Sequence, residues 1–447
     1  MHTEIKTDAS NDEPPLLAPR SMTRPQRASC RRATGEAPAA DWHDWRWQMR
    51  ARIRTVEQLL ERFPRLPHPD GVREALNRFQ MAITPYYASL IEKLDASDPI
   101  FRMAVPQVQE LINPAFLEAD PLGEEQHSPV PGLIHRYPDR ALLITTSVCA
   151  MYCRHCTRKR VTGECESQLD AAHIPAMVGY LQAHPEIHDV IVSGGDPLTL
   201  ATPTLERILA AIRSVDTIEV IRIGTRTPVT LPMRITDELT EMLRKYHPVW
   251  INTHFNHPRE LTREAVAACA RLANAGIPLG NQCVLLRGVN DDVRVMEALC
   301  RGLVKARVRP YYLFQCDLVP GVEHFRTPIS KGIEIMEYLR GRVSGLAIPT
   351  YVVDTPGGGG KIPVAPTYMV SQSPTHTVFR NFEGMLMSYP EPCLDVASDV
   401  VPSAPPAAQG VWELAAGHAQ VIRPAPPQRN RKRARRATRM PVQARKF

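Results

Sequence analysis

Apolar and polar positions divide the chain into regions of different period. Up to about residue 40 it is polar and Pro-rich with no periodicity, the pattern of a disordered tail over 1–40. A Trp-rich run, Asp41-Trp-His-Asp-Trp-Arg-Trp, then opens helical spacing. This predicts helices over 45–63, 71–79 and 106–110, with Thr84-Pro85-Tyr86-Tyr87 breaking the pattern. Residues 41–139 therefore read as a helical N-terminal region. From 140 short apolar runs alternate with helical ones. Strands are predicted over 141–147, 189–193, 219–223, 249–253, 279–285, 310–314 and 349–353, and helices over 203–215, 237–246, 263–275 and 291–304. Such alternation means βα units around a parallel sheet. About six units within 140–368 suit a partial barrel better than a complete one. The pattern loosens in a C-terminal extension over 369–400, and 401–447 is Pro/Ala-rich, then basic, and reads as a disordered tail.

Composition narrows the function. The 447 residues, 43% hydrophobic, suffice for one large catalytic domain with attachments or for two domains. No apolar run approaches the ~18 residues of a membrane span. Residues 1–20 lack the basic start and apolar stretch of a signal peptide, so the expected compartment is the cytoplasm. The formal charge of +7 is misleading, because 421–447 holds ten Lys/Arg and no Asp/Glu; without that tail the body stands at −3. Nucleic-acid binding by the body has no electrostatic support. Ten cysteines in a chain this long are not a disulfide scaffold, and clustered cysteines in a reducing compartment are more often metal ligands or redox groups.

The densest chemistry follows the first predicted strand, in Cys149-Ala-Met-Tyr-Cys153-Arg-His-Cys156. Three thiolates so spaced can hold three irons of a 4Fe–4S cluster and leave the fourth open to substrate or S-adenosylmethionine (SAM). The end of a barrel strand is where active sites of such folds gather. The alternative is zinc, which in structural sites takes four ligands, usually as two pairs. No second Cys pair is present, and His155 beside Cys156 closes a tetrahedron awkwardly.

A second constellation ends the last predicted strand: Asp354-Thr-Pro-Gly357-Gly-Gly-Gly360-Lys361. Four consecutive glycines are entropically expensive. A lysine just after them suits a Schiff base with pyridoxal phosphate (PLP). A flexible linker and an NTPase loop are the alternatives. The NTPase loop needs Ser/Thr after its lysine, where this chain has Ile362-Pro363, and a linker would not usually end a strong apolar strand.

The C-x3-C-x2-C spacing resembles the radical SAM signature, and Ser193-Gly194-Gly195-Asp196 resembles the motif that receives the SAM amino group. Longer strings extend the likeness over about 42–390: Ser128-Pro-Val-Pro-Gly-Leu, His135-Arg-Tyr-Pro-Asp-Arg140, His254-Phe-Asn-His257-Pro, Gly280 to Gly288, and His324-Phe-Arg-Thr-Pro328. Together with the glycine–lysine segment they closely resemble the lysine 2,3-aminomutase family. The resemblance implies an α/β fold, a partial (β/α)6 TIM-type barrel of the radical SAM class. It implies an isomerase that interconverts L-lysine and β-lysine by radical amino migration, with a 4Fe–4S cluster, SAM and PLP. Cys149, Cys153 and Cys156 become iron ligands, His155 lies against the adenine, and Gly194, Gly195 and Asp196 hold SAM. Arg136, Tyr137 and Arg140 bind the PLP phosphate, Asn281 and Gln282 lie near the cofactors, and Lys361 is the PLP lysine. Arg158 takes the substrate carboxylate, and Asp317 and Asp354 the distant ammonium, since a buried cation needs paired carboxylates. Taken singly, Arg136 and Arg140 also read as a solvated loop, and the two aspartates as strand-end residues bound to backbone. A flavodoxin or ferredoxin as electron donor and a homo-oligomer are implied as well.

Some members of that family carry an interface zinc, held by a C-terminal C-x-C-x2-C and one cysteine after a Val-Asn-Asp string. Here the C-terminal region has only Cys393, and the string reads Val289-Asn-Asp-Asp292, so no such zinc is expected. An aminomutase acting on arginine or another amino acid is the nearest rival, and a non-catalytic zinc-binding scaffold is the rival from a different class. Two aspartates also suit a guanidinium, but they repel the side chain of glutamate.

Overall fold

The computed structural model describes residues 41–162, 166–372 and 376–392. The tails over 1–40 and 401–447, and Cys393, lie outside the described residues. The chain divides into two units, one of residues 1–370 and 378–387, the other of 371–377 and 388–447. The site lies wholly in the first.

That unit is built on a nine-stranded sheet, ordered as in sequence: β1 Leu133–Tyr137, β2 Arg140–Ile144, β3 Asp189–Ser193, β4 Val220–Gly224, β5 Val249–Thr253, β6 Leu279–Leu285, β7 Arg309–Gln315, β8 Thr350–Thr355 and β9 Gly360–Pro363. Strands β2 to β8 are parallel, while β1 and β9 pair antiparallel at the edges. Six helical crossovers join the seven parallel strands, which makes a partial TIM-type barrel. Strands β2, β3 and β4 alternate buried and half-buried residues. One face presents Leu143, Val192 and Ile223 to the core, and the other carries Ser193 and Gly224 into a cavity.

The crossover helices bury one stripe each. In Thr202–Arg213 it is Leu205, Ile208, Leu209 and Ile212; in Val293–Lys305 it is Met296, Leu299, Cys300 and Leu303. The shared i, i+3, i+4, i+7 spacing is what a helix needs to dock on a sheet. Each buried Leu or Ile contributes about 1.5–3 kcal/mol.

The single helix expected over 45–63 is two, Trp45–Arg50 and Val56–Arg62. Thr55 and Gln58 form a reciprocal capping box that starts the second. Between them Ile53 pairs with Ile83 through two backbone hydrogen bonds (2.8 and 3.0 Å). The edge strands β1 and β9 were not among the expected strands. Each is short, and each borrows its partner from the neighbouring strand rather than from a pattern of its own.

Arg154, between two cysteines of the loop after β2, points away from the cavity into the N-terminal helical layer. It is 1% exposed, and Glu110 is fully buried. The guanidinium donates to both Glu110 oxygens (2.9 and 2.6 Å), to Gln80 O (2.7 Å) and to Phe79 O (3.3 Å). Deleting one partner strands a buried charge. Glu110→Ala is therefore expected to cost about 3–5 kcal/mol, read by urea denaturation, with Glu110→Gln falling between it and the parent.

Candidate active site

The loop after β2 is pinned from below. Tyr152 N donates to Ala82 O and Arg154 N to Met103 O, both at 3.0 Å, and Arg52 reaches Cys149 O (2.6 Å). Its upper face presents Cys149, Cys153 and Cys156, all free and partly buried, to a cavity of about 270 Å³. Burial pushes the Cys149 and Cys156 thiols up. Thiolates there need a compensating cation, which bound iron supplies. Arg226 donates to Cys153 Sγ (2.8 Å) and is held by Glu260 (2.6 Å) and the Tyr87 hydroxyl (3.2 Å). Among the described residues no three His, Cys, Asp or Glu converge on a single ion. A four-iron cube does not ask that of its thiols, because each binds a different iron.

The same cavity is lined by His155, Arg158, Gly194, Gly195, Asp196, Asp317 and Asp354. Residues separated by some two hundred positions in sequence thus share one space. His155 is 8% exposed, and burial holds its imidazole well below the usual range; its Nδ1 has no partner. The two glycines answer a need of the chain itself. Gly194 has φ 128°, and a Cβ there would lie 2.4 Å from Thr146 O; one on Gly195 would lie 2.4 Å from Val148 O. The end of β3 thus packs against the backbone entering the cysteine loop. Asp196 uses its carboxylate on Thr225 Oγ1 (2.6 Å), Arg226 N (2.8 Å) and Leu198 N (3.1 Å), and burial raises its pKa.

Arg158 is clamped by Glu124 through Nε and Nη2 (2.7–3.1 Å), and its Nη1 reaches Ser193 Oγ (3.2 Å). Asp317 accepts from Thr157 Oγ1 (2.6 Å). Burial, with Asp354 nearby, pushes Asp317 up to about 6.

The glycine run is a hairpin turn, neither a linker nor an NTPase loop. Gly357, Gly358 and Gly360 have φ of 65°, 78° and 90°, values that side chains rarely adopt. The β8–β9 register sets Asp354 opposite Lys361, and Lys361 Nζ lies 2.9 and 3.0 Å from the two Asp354 oxygens. Lys361 thereby reaches a residue that lines the cavity holding the three thiols. Beside it, Tyr137 Oη accepts from Lys361 N (3.2 Å), and Arg136 Nε donates to Gly358 O (3.3 Å) while its buried Nη2 has no partner. Arg140 stacks on the Tyr137 ring at 4.0 Å and pairs with Asp139. An orphaned buried guanidinium N–H beside a lysine and a second arginine fits a phosphate.

Asn281 and Gln282 do not line the cavity. Asn281 ties β5 to β6, accepting from Phe255 N (2.7 Å) and donating to Phe255 O (3.0 Å). His254, from the His254-Phe-Asn-His257 string, lines the cavity too, and residues that the sequence did not single out also belong to the site: Glu124, Thr157, Arg226 and Phe314. Each lies in an ordinary strand end or loop, so the sequence offered no local signal for it.

A partial βα barrel with three thiols after its first parallel strand and a Gly-Gly-Asp turn after its second is the framework of a radical SAM enzyme. A profile of the Radical SAM superfamily matches residues 143–299, and it brings a 4Fe–4S cluster and SAM as cofactors. A second profile, Lysine-2,3-aminomutase, matches 336–446. The chain is 55% identical to the L-lysine 2,3-aminomutase of Clostridium subterminale over 354 residues, 79% of this chain and 85% of that protein. It is 50% identical to the L-lysine 2,3-aminomutase of Bacillus subtilis (strain 168), over 80% and 76% of the two chains. It is 46% identical to the glutamate 2,3-aminomutase of Clostridioides difficile (strain 630), over 80% and 85%. The chain belongs to the lysine 2,3-aminomutase family and is an isomerase.

Gly194→Ala is expected to destabilise the enzyme by at least about 2 kcal/mol, since the new methyl meets backbone that cannot yield. A drop of several degrees in Tm checks this.

Proposed function

We propose that this chain is an L-lysine 2,3-aminomutase that uses PLP together with its cluster and SAM. The observation that carries the substrate is the pairing of Asp317 and Asp354 on one cavity wall. Among the described residues no Lys or Arg lies within ion-pair distance of Asp317, and an amino acid with a cationic side chain supplies that partner. Arg158, in the same cavity, suits the α-carboxylate. Two carboxylates repel the side chain of glutamate. An arginine side chain meets the same charge, which makes arginine the alternative substrate.

When bound, the cluster and SAM supply radical initiation, and PLP supplies a carrier for the migrating nitrogen. The chain's own work is binding and exclusion. Cys149, Cys153 and Cys156 hold the cluster, and Gly194, Gly195, Asp196 and His155 shape the SAM end of the cavity. Arg136, Tyr137 and Arg140 grip the PLP phosphate, and Lys361 tethers the cofactor. Lys361 leaves Asp354 to do so, which frees that carboxylate for the substrate ammonium. Gln282 stands outside the cavity wall and acts on the cofactors only through its neighbours in β6. A one-electron carrier such as a flavodoxin or ferredoxin is the reductant.

Anaerobic incubation of the reconstituted enzyme with SAM, PLP, dithionite and a panel of amino acids tests the reading. Lysine is expected to yield its β-amino isomer. Turnover of arginine or glutamate with lysine untouched would overturn the substrate. Asp317→Asn should raise KM for lysine about tenfold or more, the worth of one charge-assisted hydrogen bond. Lys361→Ala should lose the visible absorbance of enzyme-bound PLP and retain its iron.

The pH dependence has a definite sign. Asp317 must be ionised to bind a cation, and burial sets its pKa at about 6 in the free enzyme. The kcat/KM for lysine is thus expected to be fully expressed above that value and to fall as pH drops through it. The Asp317→Asn enzyme should lack that limb.

A further inference from the structure

The cysteine loop has a second side. A narrow cleft lined by Arg78, Phe79, Gln80 and Lys159 also reaches Cys153 and Cys156. Apart from those two cysteines, it shares only Thr162 with the active-site cavity. Two of the three iron ligands thus stand between the substrate chamber and a separate opening at the surface.

The opening is short of negative charge. Arg78 stands exposed at its mouth, the buried Arg154 and largely buried Lys159 line it behind, and no Asp or Glu is among its lining residues. Arg154 and Lys159 share the single carboxylate of Glu110, at 2.6 and 3.6 Å. Arg78 is exposed and has no ion pair among the described residues. The ring of Phe79 lies between two cations, with Lys159 Nζ at 4.4 Å and Arg78 Cζ at 5.5 Å from its centre.

The opening is also wired to the loop. Arg154 Nη1 donates to Gln80 O (2.7 Å) and Nη2 to Phe79 O (3.3 Å). Arg154 follows Cys153 in the chain. A carrier seated on the exposed Arg78 to Gln80 segment is therefore one hydrogen bond from a residue bonded to an iron ligand. A carrier seated on this side also leaves the substrate cavity free to exclude water from the reaction.

We propose that this cleft is the docking surface for an acidic one-electron carrier protein, which reduces the cluster from the side opposite the substrate. Each encounter passes one electron: the carrier is oxidised by one and the cluster reduced by one. The proposal rests on the reading of Cys149, Cys153 and Cys156 as the cluster ligands.

The test uses reconstituted holoenzyme and a flavodoxin reduced to its hydroquinone, with cluster reduction followed by stopped-flow absorbance at low salt. Arg78→Glu should slow reduction by flavodoxin about tenfold or more and flatten its salt dependence, as expected for a steering charge. Reduction by dithionite, a small molecule with no protein surface to dock, should stay within twofold of the parent. Arg294→Glu, an exposed charge on the Val293–Lys305 helix, should change neither rate. If Arg78→Glu loses iron, Gln80→Glu carries the same comparison. An unchanged flavodoxin rate, or an equal loss with both reductants in an iron-replete variant, would overturn the proposal. Failure of the unsubstituted enzyme to bind a reducible cluster would count instead against the proposed function.

Discussion

A guanidinium shut away from water has to find carboxylate and carbonyl partners, and Arg154 finds all of its own in the N-terminal helical layer. That one network sets the attitude of the cysteine loop. With Arg154 drawn down to Glu110, Gln80 and Phe79, its chain neighbours Cys153 and His155 face the cavity. Removing two charges from water costs several kcal/mol per ion, which only near-complete hydrogen bonding offsets. The helical layer is thus a structural requirement of the site, since without it the loop would carry an unpaired buried cation.

Charge inside the cavity follows the same economy. Arg158 is matched by Glu124, Arg226 by Glu260, and Lys361 by Asp354. Among the described residues Asp317 has a hydroxyl rather than a cation within ion-pair distance, and burial raises its pKa; Asp196 is likewise held by a hydroxyl, with two backbone N–H groups besides. The unpaired carboxylates of the chamber thus differ in their hydrogen bonding, three donors on Asp196 against the Thr157 hydroxyl on Asp317.

The departures from the family pattern also have local explanations. Asp292 ends the Val289-Asn-Asp-Asp292 string. Here its carboxylate accepts from Arg294 N (2.8 Å) and Val295 N (3.2 Å) and so caps the Val293–Lys305 helix. Gly194 and Gly195 serve two ends at once, because the close passage of strand end and loop that forbids a Cβ also shapes the cavity that both residues line.

Much of this protein was legible in its sequence wherever the signal is local. The barrel strands and crossover helices announce themselves by period, because alternate strand residues and every third or fourth helical residue must face one core. The cysteine spacing and the glycine run were legible because each is a short segment with unusual chemistry. Edge strands β1 and β9 were not, since their pairing is set by neighbours. Nor were Glu124, Thr157, Arg226 and Glu260, ordinary residues made functional by what folding sets beside them. That Lys361 and Asp354 face each other across a hairpin, that Asp317 joins them on one wall, and that Arg154 turns its back on the cavity are decisions of tertiary structure. Their physical reason is the same in each case: the interacting groups are far apart along the chain, and only burial makes their pairing obligatory.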